Sequence, residues 1–102
     1  MRITSGGNVG IGTTSPATAI HAYHATTNVI ATFESGDTVS YINIKDSNSG
    51  TYGVLLGATG TDFTVNPNNV ERMRISSAGA IKFNAYGQGN LTGTPTFLLG
   101  TD

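Results

Sequence analysis

Cysteine and tryptophan are absent from this 102-residue chain, proline occurs three times, and charged residues make up only 11% of it. Without cysteine there is neither a disulfide framework nor a thiolate metal site, and the redox compartment leaves no trace in the sequence. Charged residues fill about a quarter of an ordinary soluble domain, so the polarity here must come from neutral side chains. Five Lys and Arg against six Asp and Glu give a net charge of -1. Such a chain offers no electrostatic footprint for nucleic acid or an anionic membrane surface, and neither partner is expected. Apolar runs are short, as at Val54-Leu55-Leu56, against the ~20 residues a membrane-crossing helix needs. Membrane insertion is not expected, and Met1 to Gly7 hold no apolar stretch of signal-peptide length.

What the chain does hold is 16 Thr, 14 Gly, 9 Asn and 8 Ser, which is 47 of its 102 residues. Leu, Ile, Val and Phe number 23, which together with the near-zero charge argues against disorder throughout. One domain of this size with few large side chains and no covalent staple has a thin core. Oligomerisation is expected to supply the missing burial.

Alternation of apolar and polar residues predicts strands nearly throughout. Candidate strands are Val29 to Phe33, Val39 to Lys45, Tyr52 to Leu56, Phe63 to Val65, Val70 to Ile75 and Ala80 to Phe83. In the second, Val39, Tyr41, Asn43 and Lys45 fall on one face and Ser40, Ile42 and Ile44 on the other. Between the runs lie Ser35-Gly36-Asp37, Asp46-Ser47-Asn48-Ser49-Gly50, Ala58 to Asp62, Asn66-Pro67-Asn68-Asn69 and Ser76-Ser77-Ala78-Gly79. These combine local Asx and Ser hydrogen bonding with glycine, the chemistry of turns. No long stretch has a helical period, and one short helical turn is expected after Pro16, over 17–22.

Met1 to Ile11 aligns with Met73 to Phe83 at a constant offset of 72, with five identical positions. Each copy reads as a strand, a turn containing Gly7 or Gly79, and a second strand with two apolar residues two apart. A hairpin used twice at this period implies the end of one repeat unit over 1–16, a complete β-rich unit over 17–83, and an extended Gly- and Thr-rich segment over 84–102.

Arg2 to Pro16, with its glycine-rich Val9-Gly10-Ile11-Gly12, together with Glu71 to Gly79, resembles the repeated signature of bacteriophage tail fibre and tail-spike proteins. In that family such units lie upstream of an endosialidase-type C-terminal chaperone domain. Ala31 to Ser35, Tyr41 to Ser47 and Gly93 to Asp102 are similar to the body and ending of the same unit. The second signature departs from the first, reading Ala80-Ile81-Lys82-Phe83 where the first has glycines. The resemblance implies an all-β, elongated, intertwined homotrimeric fibre, β-prism or β-helix-like. It implies a place in the virion tail, outside the cell, with other phage tail proteins and a host cell-surface glycan or protein as partners. Relatives release the chaperone by self-cleavage before a serine, so an end at Asp102 matches either a mature product or an arbitrary boundary.

Residues with chemical potential read more simply as structure. Gly6 to Thr14 lacks the lysine of a phosphate loop and the third glycine of a dinucleotide fingerprint. His21 and His24 share a face only on a helical turn, and no metal or other cofactor is expected. A glycosidase needs two carboxylates facing each other across a sugar, and Glu34, Asp37, Asp46, Asp62, Glu71 and Asp102 show no such pattern. Arg72 and Arg74 share a strand face opposite Met73 and Ile75, which suits a solvated face with a cross-strand or inter-subunit ion pair. Tyr23, Tyr41, Tyr52 and Tyr86 offer stacking faces with polar tips, and Tyr41, Tyr52 and Tyr86 are the candidate surface contacts.

The expected function is therefore structural and adhesive, without catalysis: a tail fibre or spike segment contributing to host-surface attachment. Phe33, Ile42, Ile44, Leu55, Phe63, Val65, Met73, Ile75, Ile81 and Phe83 are expected to pack against each other or across subunits. The alternatives are a polysaccharide depolymerase tail spike and a virion structural protein with no receptor role.

Overall fold

A computed structural model of the chain describes residues 1–84 and is all-β there. The chain divides into two compact units, Met1–Glu34 and Ser35–Asp102. The expected repeat boundary after residue 16 thus falls inside the first unit. The segment 84–102 lies outside the described residues from position 85 onward.

The first unit holds a three-stranded sheet of β1 (Arg2–Ile3), β2 (Val9–Ile11) and β3 (Ile20–Ala22), in the order β1-β2-β3. β1 and β2 are antiparallel, whereas β2 and β3 run parallel, with Val9 opposite Ile20 and Ile11 opposite Ala22. The helical turn expected over 17–22 is replaced by β3. Ala19 accepts a hydrogen bond from the Val9 amide (2.8 Å) and the Tyr23 amide donates to Ile11 (2.9 Å), so the backbone completes a ladder with β2 and leaves none for a helical turn. Val29 to Phe33, expected as a strand, is in no sheet. Its β-branched residues favour extended backbone, but a strand also needs a partner ladder.

The second unit is a five-stranded antiparallel meander. Its strands are β4 (Val39–Ile44), β5 (Val54–Thr59), β6 (Asp62–Pro67), β7 (Met73–Ile75) and β8 (Ile81–Phe83), paired in chain order. Turn chemistry fixes the connections. The β5–β6 turn places Gly60 at φ 61, and the turn after β6 holds Asn68 and Asn69 at φ 51 and 64, the left-handed region that glycine and asparagine tolerate best. Between β4 and β5, Asp46 accepts from the Asn48 amide (3.0 Å) and the Ser49 hydroxyl (3.1 Å).

The duplicated motif folds alike in both units. Arg2 lies opposite Gly10 and Ile3 opposite Val9, just as Arg74 lies opposite Lys82 and Ile75 opposite Ile81. The turns match bond for bond. Thr4 donates to Asn8 (2.8 Å) as Ser76 donates to Ala80 (2.9 Å), and Gly7 to Thr4 as Gly79 to Ser76, both 2.9 Å. The Thr4 hydroxyl accepts from the Asn8 amide, and the Ser76 hydroxyl from the Ala80 amide, both at 3.1 Å. Gly7 and Gly79 sit at φ 88 and 94, which explains the glycine at each position.

Candidate functional site: the two faces of the five-stranded sheet

Directly opposed residues in neighbouring strands share a face, so the register sorts every side chain of the meander. One row across all five strands reads Ile42, Leu56, Val65, Met73 and Phe83; a second reads Ser40, Ala58, Phe63, Ile75 and Ile81. Ile44, Val54 and Pro67 complete that face. Of these thirteen residues only Ser40 is polar and none is charged.

This apolar face is not a core within the chain. Ile42 is 44% exposed, Ile44 52%, Phe63 43% and Ile81 63%. Eight of the ten residues expected to pack lie on it. Val65, Met73 and Ile75 are half-buried, and Phe83 is exposed. Leu55, by contrast, is on the opposite face and is the buried hydrophobic residue among those described. Phe33 lies outside any strand, in the first unit, and is largely exposed. Packing of these side chains against each other to form a buried core is thus not what the single chain shows.

The other face is polar and partly closed by its own side chains. Its central row is Tyr41, Gly57, Thr64, Arg74 and Lys82. Tyr41 lies over Gly57, where a Cβ would come 2.6 Å from the ring and collide with the Ser40 carbonyl. From there its hydroxyl accepts a hydrogen bond from Asn66 Nδ2 at 3.3 Å. Thr64 is fully buried and Asn66 is 5% exposed. Among the described residues, Thr64 Oγ1, Asn66 Oδ1 and Arg74 Nε have no hydrogen-bond partner. Arg74 Nε is held electrostatically, 3.5 Å from Asp62 and 3.7 Å from Glu71. Of the expected arginine pair, then, Arg74 makes the cross-strand ion pair. With about a third of each side chain exposed it contributes on the order of 0–1 kcal/mol.

Tyr52 is exposed beside β5, where Asn43 Oδ1 accepts from the Gly53 amide (3.0 Å). Tyr86 lies outside the described residues. Tyr41, expected as a surface contact, instead reaches across the sheet to Asn66. A glycine opposite an aromatic residue in the register was the signal for it.

Asp37, Asp46, Asp62, Glu71 and both histidines accept hydrogen bonds. Asp37 accepts from the Thr38 amide (2.7 Å), Asp62 from the Ser77 amide (3.0 Å), and Glu71 from Asn84 Nδ2 (3.1 Å). The Asn48 amide, followed by the Ser49 hydroxyl, holds Asp46 below its ordinary value of 3.8. His24 Nδ1 accepts the amides of Thr26 (3.2 Å) and Thr27 (3.0 Å), and His21 Nδ1 that of Ala17 (3.0 Å). In the first unit, Met1, Arg2, Gly12, Thr13, Thr14 and Tyr23 line a shallow depression of about 430 Å³.

The smaller sheet repeats the division of faces. Ile3, Val9 and Ile20 share one row and Ile11 and Ala22 the next, while Arg2, Gly10 and His21 share the other face. Ile3, Ile11 and Ile20 are all more than half exposed. No family model, no curated protein and no solved structure matches the chain.

Proposed function

We propose that this chain is a structural repeat segment of a phage tail fibre or spike, assembled as a homotrimer whose apolar sheet faces pack together. It belongs to the extracellular virion tail, works beside other tail proteins, and contributes to attachment at a host cell-surface glycan or protein. The observation that carries the reading is the uncharged, exposed apolar face spanning β4 to β8. Strands about 4.8 Å apart and about 3.4 Å per residue give that face roughly 400 Å² in projection. Contiguous apolar surface beyond a few hundred Å² marks an interaction site, because leaving it in water forgoes about 25 cal/mol for each Å². A second support is the hairpin repeated at a 72-residue offset, as expected of a chain built from units.

In this account the apolar face builds the assembly and the neutral hydrogen-bonding surface faces outward. The role involves no catalysis. Among the described carboxylates, Asp37, Asp46 and Asp62 accept hydrogen bonds at turns, and Asp62 and Glu71 are ion-pair partners of Arg74. An array of bacterial surface glycans and surface proteins, probed with the assembled chain, tests attachment. Saturable binding to at least one is the predicted result; an assembled trimer that binds none overturns the adhesive half of the reading.

A further inference from the structure

We propose that the shallow depression of the first unit binds a carboxylate-bearing sugar, with the Arg2 guanidinium on the carboxylate and the Tyr23 ring against the face of the sugar. The inference rests on the attachment role proposed above and names a ligand class for it.

The depression follows from two glycines on one face of the small sheet. Arg2, Gly10 and His21 share that face, and Tyr23, two residues beyond His21, falls on it by alternation. Gly10 carries no side chain, and the chain leaving β2 folds back over it: a Cβ there would collide with the Thr13 carbonyl oxygen. Gly12, at φ +78, lies so close to Tyr23 that its Cβ would collide with the Tyr23 carbonyl oxygen. Thr13 and Thr14 are thereby set beside Arg2 and Tyr23, with which they line one depression.

The duplicated hairpin provides the comparison. Arg74, the counterpart of Arg2, is engaged by Asp62 and Glu71. At the positions of Gly10 and Gly12 the second copy carries Lys82 and Asn84. Among the described residues both ion pairs belong to Arg74 and none to Arg2, which is exposed. The same strand position thus holds a neutralised guanidinium in one copy and an unneutralised one in the other.

Each lining group offers chemistry that a sugar acid uses. A guanidinium presents parallel N–H donors that match the two oxygens of a carboxylate. Tyr23 is 55% exposed and offers an apolar ring face with a hydroxyl at its tip. The Thr13 hydroxyl accepts from the Ser15 amide (3.2 Å), which leaves its own proton to donate, and a threonine hydroxyl such as that of Thr14 both donates and accepts. Peptides are recognised through a sheet edge or a row of apolar pockets, whereas this depression gathers a cation, two hydroxyls and a phenol, with no carboxylate among its lining residues. A site this shallow holds one sugar weakly, and three copies in one assembly raise the avidity without new contacts.

The test titrates the intact chain with an oligosaccharide of glucuronic acid, with its carboxyl-reduced form and with an oligoglutamate peptide, reading affinity by calorimetry and amide shifts by NMR. The glucuronate oligomer should bind saturably and shift the amides of Gly12, Thr13, Thr14 and Tyr23. The reduced oligomer lacks the carboxylate and the peptide lacks the ring, so both should bind at least about tenfold more weakly. Arg2→Ala should weaken glucuronate binding by a similar factor, and Arg72→Ala, which removes an exposed arginine of the second unit, should not change it. Arg2→Lys keeps the charge without the fork and should also bind more weakly than the wild type, which keeps the test readable if alanine disturbs folding. No binding of the glucuronate oligomer, equal binding of the reduced oligomer or the peptide, or wild-type affinity in Arg2→Ala overturns the site. An assembled trimer that attaches to a neutral glycan or a surface protein instead overturns this ligand class alone; a monomer in solution overturns the assembly reading, and the same titration still decides the site.

Discussion

At the scale of single residues, the polar face separates groups whose loss should cost stability from groups whose loss should not. The Tyr41 hydroxyl accepts from the buried Asn66 amide. Tyr41→Phe leaves that donor without a partner, and we expect a loss of about 1–2 kcal/mol in denaturant unfolding. Thr64 is as buried, but its hydroxyl has no partner among the described residues. Thr64→Val keeps the shape and removes a desolvated polar group, so it should be neutral or stabilising; a clear drop in melting temperature would show that the hydroxyl is partnered. Asp46 carries a pH dependence. Its pKa is lowered on folding, chiefly by the Asn48 amide. Its contribution is fully present above the ordinary carboxylate value of 3.8 and is lost as pH falls through the lowered folded value. Melting curves across the acid range should show this loss in the native chain and less of it in Asp46→Asn. Little of this was legible in sequence. The Asx turn at Asp46 was, because it depends on neighbours along the chain; the contact from Tyr41 to Asn66 depends on strand register.

Among the elements, the two hairpins give a matched experiment. Gly7 and Gly79 occupy the same turn position with positive φ. Alanine there costs on the order of 1–2 kcal/mol, so Gly79→Ala should lower the melting temperature of the chain. Gly7→Ala should act within the first unit, seen as faster amide exchange at Val9, whose amide bonds to Ala19. The identical turns followed from a repeat visible in the sequence, and β4 to β8 lie where alternation placed them, with ends shifted by a few residues. Two elements were misread for one reason. Val29 to Phe33 has strand composition without a ladder, and Ile20 to Ala22 has a ladder its composition did not announce. Sheet membership depends on a partner strand, which single-strand patterning does not contain.

For the whole molecule, a composition low in charge and in large side chains takes a definite form. The thin core is a sheet with its apolar side largely exposed: eight residues expected to pack share one face, while Leu55, the buried hydrophobic residue among those described, is on the other. The sequence revealed which residues were apolar. It did not reveal that they line up across five strands, since that depends on four strand registers at once. If assembly rests on this face, Phe63→Asp on its middle strand, β6, should dissociate the protein without unfolding the meander. The outward Lys45→Asp should leave the association unchanged. The most direct measurement is the mass of the intact chain in solution by sedimentation at micromolar concentration. The account predicts three times the chain mass; a well-folded monomer would contradict it.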